Sequence, residues 1–342
     1  MNYRLFGKSG LRVSEICLGT MTFGSEWGWG ADYEESKRIF DAYANAGGNF
    51  IDTANRYTEG SSEWFVGDFT TNDRDHFVIA TKYTLQDRSG DPNFAGNHRK
   101  NLKRSVSESL KRLQTDHIDL LWLHAWDFTV APEEVLRALE DLVRLGDIHH
   151  IGVSDTPAWI VSQANTIAEL RGWSSFVGLQ IEYNLLQRTP ERDLMPMAKA
   201  FNMAVTPWAP LAGGALTGKY LHENEEAKRL KPESARLNER AQLITREVVA
   251  IAQELNVSPS QVAINWTRQR DQVVVPIVGA RKVGQIEDCV KCVNFVLSDE
   301  HMQRLNNLSS IELGFPHDFL ASDGVKNVVY SGQYDKIKDL KH

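Results

Sequence analysis

This chain of 342 residues holds only three cysteines. That is too few for a disulfide framework at this length and fits a reducing compartment. No apolar run approaches the ~20 residues that a membrane span needs. The N-terminus lacks the charged-then-apolar pattern of a signal peptide. Basic residues are not in excess either: 38 Lys and Arg stand against 45 Asp and Glu, a formal charge of −7. With no long basic run, that balance argues against nucleic acid or an anionic membrane as the main partner. A dinucleotide fingerprint is also missing, since the first apolar strand runs into Gly19-Thr20-Met21-Thr22-Phe23-Gly24, which does not match G-x-G-x-x-G. The absences together describe a cytoplasmic globular protein.

What the chain does have is one repeating rhythm. Tyr3–Phe6 and Leu11–Val13 flank a Gly-rich turn and read as a β-hairpin. Apolar strand-like runs then recur at Ile16–Gly19, Phe50–Thr53, Phe77–Thr81, Ile118–Leu123, Ile148–Val153, Val177–Ile181, Ala204–Pro207 and Val273–Ile277. Helical periodicity fills nearly every gap. Tyr33–Ala46 has Asp32 and Glu35 at capping-box spacing, Gly60–Glu63 opens a second helix, and Thr156-Pro157 and Ser258-Pro259-Ser260-Gln261 open two more. An additional amphipathic segment covers Gln242–Leu255. Eight strands alternating with helices imply a parallel sheet, most economically closed as a (β/α)8 TIM barrel with an N-terminal hairpin and an extra C-terminal segment. An open doubly wound sheet is the runner-up. A barrel runs to ~250 residues or more as one unit, so residues 1–342 are read as a single domain.

Barrel active sites gather where strands exit. Strand two exits at Asp52, with Tyr57 on the loop beyond; strands three and four give Lys82 and His124. An Asp at a strand end caps a turn more often than it catalyses, and each of these residues alone would be read as structural. A carboxylate, a phenol, an ammonium and an imidazole at one mouth make chemistry the better reading. A free phenol has a pKa near ~10, and a nearby ammonium stabilises phenolate. Asp52 paired with Lys82 would keep that ammonium charged, and His124 could hydrogen-bond the same oxygen. Such a set suits protonation of a carbonyl oxygen during hydride transfer, and it needs no metal.

With those residues in place, the chain closely resembles the aldo-keto reductase superfamily. The matching run is Asp52-Thr53-Ala54…Tyr57…Gly60…Ser62-Glu63, Thr81-Lys82, Leu123-His124…Asp127, Ile151–Ser154, Leu179–Asn184, Trp208–Gly214, and Pro276–Arg281…Gln285–Asp288. The likeness spans Tyr3 to Asn307. It implies an NADP(H)-dependent reductase of aldehydes and ketones, with Asp52, Tyr57, Lys82 and His124 as catalytic tetrad and Tyr57 as general acid. It also implies that Ser154, Asp155 and Gln180 hold the nicotinamide carboxamide and that Trp208 stacks on the ring. Further cofactor contacts are implied at Gly19, Thr20, Met21, Asp52, Ala209, Leu211, Gly213, Gly218, Lys219, Gly279, Arg281, Gln285 and Asp288. The family usually has Asn where Asp155 stands, Ser at Ala209 and Asn at Cys289. Potassium-channel β subunits resemble the same fold and give the competing reading, a cofactor-binding interaction subunit. The intact tetrad and the lack of a long N-terminal segment favour the enzyme.

Cofactor preference is read at Gly279-Ala280-Arg281-Lys282. A helix N-terminus with free amides attracts an anion, and Arg281 can grip a phosphate with two hydrogen bonds; Gln285 lies one turn on. Several motifs are decoys. Gly213–Lys219 nearly spells a P-loop, but Tyr220 follows where Ser or Thr would hold Mg²⁺. Cys289-x-x-Cys292 has no second pair at zinc-ligand spacing and reads as two thiols on a helix. His149-His150, at the start of strand five, reads as structural, and His222–Arg240 reads as a solvated loop that could order over bound cofactor. Trp27, Trp29, Tyr83, Trp126 and Phe128 could line an apolar pocket for aromatic or medium-sized carbonyl compounds. The tail after Ser309 would cap the mouth or pack on a neighbouring subunit.

Overall fold

The computed structural model describes residues 1–221 and 230–338. Strands β1 (Tyr3–Leu5) and β2 (Arg12–Ser14) form the expected antiparallel hairpin. Eight parallel strands follow: β3 (Cys17–Gly19), β4 (Phe50–Asp52), β5 (Val78–Tyr83), β6 (Ile118–Leu123), β7 (Ile148–Ser154), β8 (Gly178–Glu182), β9 (Ala204–Trp208) and β10 (Ile277–Gly279). They pair in the order β10-β3-β4-β5-β6-β7-β8-β9. The remaining seam between β9 and β10 is bridged at Val205 and Val274, so the sheet curls into a (β/α)8 barrel.

The last strand differs from the expected Val273–Ile277. Pro276 has no N–H to donate and interrupts the ladder. Val273–Val275 therefore pairs with β9, with Val205 N donating to Val273 O at 2.9 Å and Val275 N to Val205 O at 2.8 Å. Beyond the proline, Ile277–Gly279 pairs with β3. One run of residues thus closes both sides of the seam.

Around the strands lie α1 (Tyr33–Asn45), α2 (Ser61–Thr70), α3 (Arg99–Leu113), α4 (Pro132–Leu145), α5 (Ala158–Arg171), α6 (Leu194–Ala200), α7 (Glu239–Leu255), α8 (Pro259–Arg268), α9 (Val283–Val290) and α10 (Asp299–Ser309). Local chemistry sets their ends. Asp32 accepts from Glu35 N at the start of α1. Helix α4 starts on Pro132, buries Val135, Leu136, Leu139 and Leu142 on one face, and stops at Gly146 in the left-handed region. Two caps differ from expectation. Pro157, not Thr156, is the cap residue of α5, because the Thr156 hydroxyl donates to Ser154 O. Ser258 caps α8 as expected, but Gln261 completes no capping box: its side chain donates to Asp288 instead.

Inside the barrel, Phe6 from the hairpin turn meets Phe50 at 5.4 Å and Trp122 at 6.2 Å between ring centroids. Trp122 fits because two neighbouring strands carry glycine. A Cβ on Gly152 would lie 2.3 Å from the indole, and one on Gly178 would lie 2.5 Å from Phe6. The hairpin thereby plugs the N-terminal end of the barrel and leaves the opposite mouth for chemistry. Cys289 lies on α9, while Cys292 falls in the 3-10 turn Lys291–Asn294; both thiols are buried and free, and burial pushes Cys292 up to about 12. Of the expected loop His222–Arg240, residues 222–229 lie outside the described residues. Ala235–Leu237 forms a 3-10 turn, and Glu239 and Arg240 already belong to α7. Past Ser309, α11 (His317–Ala321) and α12 (Asp323–Val329) bury no residue. Among the described residues, no helix is long and apolar enough to cross a membrane.

Candidate active site

Alternation along the strands assembles the site. Successive side chains point to opposite faces, so the positions that follow the buried interior residues Phe50, Ala80 and Leu120 by two also face inward. They are Asp52, Lys82 and Trp122, and His124 lies one step past β6. Tyr83 is the neighbour of Lys82 and points the other way. It is fully buried in the layer between strands and helices, which removes it from the expected substrate pocket.

Lys82 is the hub. Its Nζ lies 2.5 Å from Asp52 Oδ2, 2.8 Å from Thr53 O and 3.0 Å from the Tyr57 hydroxyl. Those three acceptors match the three donors of an ammonium. Asp52 is satisfied on both oxygens, because Gln180 Nε2 donates to Oδ1 at 2.9 Å. Burial would lower the Lys82 pKa, but Asp52, Tyr57 and their hydrogen bonds outweigh it and leave the pKa raised. The ammonium is therefore charged at neutral pH. The phenol departs from expectation. Burial raises its pKa more than Lys82 lowers it, so Tyr57 stands above its ordinary value of 10.0. Tyr57 is thus a phenol that keeps its proton until something accepts it.

His124 makes no hydrogen bond to Tyr57. The rings meet edge to face, centroids 6.0 Å apart at 83°, and His124 Nδ1 is buried without a partner. Burial, assisted by the charge on Lys82, holds the imidazole well below its usual 6.5, so it is neutral. A depressed folded pKa stabilises the native state above the unfolded value, and that contribution is lost as pH falls below ~6.5. Between pH 7.5 and 5.5 the loss through His124 should be about 1.4 kcal/mol. Chemical denaturation of wild type and His124→Gln at pH 7.5 and 5.5 checks this. His150, which burial also lowers, is common to both proteins, and an unchanged pH slope in the variant would clear His124 of the effect.

The residues expected around the carboxamide are adjacent. Ser154 and Gln180 are cross-strand partners of β7 and β8, and Ser154 Oγ is buried with no partner. Asp155 adopts a positive φ of 39°, and its Oδ1 accepts the indole N–H of Trp208 at 3.2 Å. A donor-only indole is what an acceptor-only carboxylate can hold, so Asp155 fixes the ring of Trp208. Burial raises the Asp155 pKa despite that bond.

Next to them, Thr20 donates to Asp52 O at 2.9 Å, between Gly19 and the half-buried Met21. Ala209 O accepts from Asn184 Nδ2 at 3.0 Å, with Leu211 beyond it. Gly213, Gly214 and Gly218 have φ of 70°, 92° and 84°, a backbone open to glycine and poor for side chains. This segment forms a kinked 3-10 turn, Ala212–Thr217, with Lys219 just after it, unlike a phosphate loop leading into a helix.

The cation pair after Gly279 differs in part from expectation. Gln285 Oε1 accepts Arg281 N at 2.9 Å, and Glu35 Oε1 already accepts Val283 N at 2.7 Å. The α9 N-terminus is thus partly capped by a carboxylate, because α1 packs beside it. No described carboxylate pairs with the Arg281 guanidinium. Asp288 holds the start of α8, with Ser258 Oγ at 2.6 Å and Gln261 Nε2 at 2.7 Å.

Several contributors had been given no role from the sequence. Thr53 serves through its carbonyl, Glu63 holds both Thr81 and Arg112, and Arg236 reaches Glu182 at 2.5 Å from 54 residues away. Trp27 and Trp29 pack at 5.9 Å on the loop after β3. Trp126 is half-buried, Phe128 is exposed, and the tail makes no hydrogen bond to the tetrad among the described residues.

Comparison with known proteins gives the family. Residues 15–310 match the Aldo/keto reductase family. An aryl-alcohol dehydrogenase [NADP(+)] of Phanerodontia chrysosporium is 38% identical, the alignment covering 96% of this chain and 91% of that protein. A norsolorinic acid reductase of Aspergillus flavus is 36% identical over 92% of this chain and 83% of its own. A putative aryl-alcohol dehydrogenase of Saccharomyces cerevisiae is 35% identical, with 92% and 88% covered. An oxidoreductase on a (β/α)8 barrel, the chain belongs to the aldo/keto reductase family.

Proposed function

We propose that this protein reduces aldehydes and ketones, aromatic ones foremost, using NADPH, with Tyr57 as the proton donor. The observation that carries the reading is the Tyr57 hydroxyl. Its oxygen accepts from Lys82 at 3.0 Å, which leaves its own O–H without a protein acceptor among the described residues. A donor with a raised pKa, backed by a fixed positive charge, suits an oxygen on which negative charge is building. Asp52 and Thr53 O hold the ammonium in place, and neutral His124 offers a second polar contact at the mouth. Bound NADPH would supply the hydride. Ser154 Oγ, buried and unpartnered, fits its carboxamide. Trp208, oriented by Asp155, fits the nicotinamide face, and the open backbone at Gly213 and Gly218 fits a pyrophosphate. The aromatic preference draws support from Trp27, Trp29 and Trp126 and from relatives whose names carry aryl alcohols.

Steady-state NADPH oxidation over a panel of aromatic, aliphatic and sugar aldehydes tests the proposal. Turnover confined to sugars would overturn the substrate class, and cofactor binding without any turnover would favour an interaction subunit. NADP differs from NAD by one ribose phosphate, and the Arg281 guanidinium, paired with no carboxylate among the described residues, fits it. Charge-assisted hydrogen bonds contribute about 1.5–3 kcal/mol. Arg281→Ala should therefore weaken NADPH by roughly 10- to 150-fold and NADH very little, as fluorescence titration would read. Equal losses for both would clear Arg281 of reading the phosphate.

A further inference from the structure

At the end of the barrel opposite the catalytic mouth, His117 precedes β6, Asp119 is the second residue of β6 and His149 is the second residue of β7. The β6–β7 register pairs Ile118 with Ile148 and Leu120 with His150, so Asp119 and His149 stand side by side. Among the described residues, this is the one set of three His, Cys, Asp or Glu side chains whose ligand atoms all lie within 4.8 Å of one another.

We propose that His117, Asp119 and His149 form a binding site for a divalent transition metal of the zinc class. Each group presents a lone pair, and Asp119 and His117 each have their other side-chain atom tied down. Asp119 Oδ2 accepts from Ile79 N at 2.9 Å and from Arg74 at 2.7 Å. Its Oδ1 lies 3.9 Å from both His117 Nε2 and His149 Nδ1. That distance is too long for a hydrogen bond. Three acceptors spaced in this way converge on a cation instead.

His117 Nδ1 is 2.7 Å from Asp116 Oδ1. A carboxylate on one imidazole nitrogen fixes the tautomer and makes the other nitrogen a better ligand. Here that leaves Nε2 for the metal. The two imidazoles are stacked, centroids 4.5 Å apart at 19°, so their in-plane lone pairs run nearly parallel and one ring must turn for both to meet a single ion. Ligand atoms on ~2.0 Å bonds at a tetrahedral angle stand about 3.3 Å apart, so the set closes when the exposed His149 ring turns out of the stack toward Asp119.

Two imidazoles and a carboxylate favour Zn²⁺, Ni²⁺ or Cu²⁺ over Ca²⁺ or Mg²⁺, which take oxygen shells. The His149 side chain is 49% exposed, which gives a metal access and lets water complete its shell. Arg74 sits on the far oxygen of Asp119 and tempers the affinity without occupying the site. A bound ion would tie the α3–β6 turn to β7 and stabilise the barrel's closed end by mass action.

The test is Zn²⁺ titration of chelator-stripped full-length protein by calorimetry, with metal content after dialysis and thermal midpoint as independent readouts. The expected result is one saturable zinc per chain and a midpoint that rises with zinc. His149→Ala and His117→Ala should each lower affinity by at least ~10-fold, and Asp116→Asn by about 10-fold. NADPH oxidation by His149→Ala should stay at the wild-type rate, because the site lies at the other end of the barrel. No saturable binding by wild type, or the same affinity in both histidine variants with their folds confirmed by circular dichroism, would overturn the site.

Discussion

Tyr57→Phe should lower kcat for aldehyde reduction by about 10²–10⁴-fold, the range of a general acid, and leave NADPH affinity near that of wild type. The substitution removes one oxygen and keeps the ring. The edge-on contact with His124 at 6.0 Å survives, so stability should change little. What disappears is the O–H behind which Lys82 stands at 3.0 Å. Because burial holds the phenol above 10.0, wild-type Tyr57 is protonated through the neutral range, and reduction should decline only on the alkaline side. Single-turnover rates with pre-bound NADPH separate the proton step from binding. A Tyr57→Phe enzyme with near wild-type kcat would remove the phenol from the mechanism.

Lys82→Met should do more, abolishing turnover and destabilising the fold by about 3–5 kcal/mol, as when one partner of a buried ion pair is removed. The side chains of Lys82 and Asp52 are 0% and 3% exposed. Without the ammonium, Asp52 Oδ2, Thr53 O and the Tyr57 oxygen all lose a donor, and the carboxylate keeps only Gln180. The wild-type contribution has a defined pH range. A raised lysine pKa gives stability that is complete below the unfolded value of 10.5 and is lost only as pH climbs through the higher folded value. The Lys82 contribution should therefore be insensitive to pH between ~6 and 9. Adding Asp52→Asn to Lys82→Met removes the stranded charge and should restore part of the stability but none of the activity. Urea midpoints of the two variants measure this. A single variant as stable as wild type would mean that the pair contributes nothing net.

Most of the barrel was legible from pattern. Strong apolar runs with helices between them announce parallel strands, and Asp32 and Ser258 mark helix ends through chemistry that acts within a few residues. In two places where expectation and structure part, a longer-range contact decided. Gln261 turned away from its own helix to Asp288, and Glu35 reached Val283 because α1 lies against α9. Pro276 is different in kind: its missing donor was visible, but not that the strand would divide its pairing between two neighbours. Tyr83 left the pocket through alternation alone.

The sequence by itself determined which residue types reach the mouth, because a strand alternates with period two and must end where its apolar run ends. That suffices for Asp52, Lys82, His124 and Gln180. Tertiary structure alone decided what those groups are to one another. It spends all three Lys82 donors, leaves Ser154 Oγ and His124 Nδ1 unpartnered, lifts the Tyr57 pKa where an ammonium alone would lower it, and sets Asp155 against Trp208. Burial and angstrom-scale distance govern proton affinity and hydrogen bonding, and both arise only when strands far apart in the chain close around one axis.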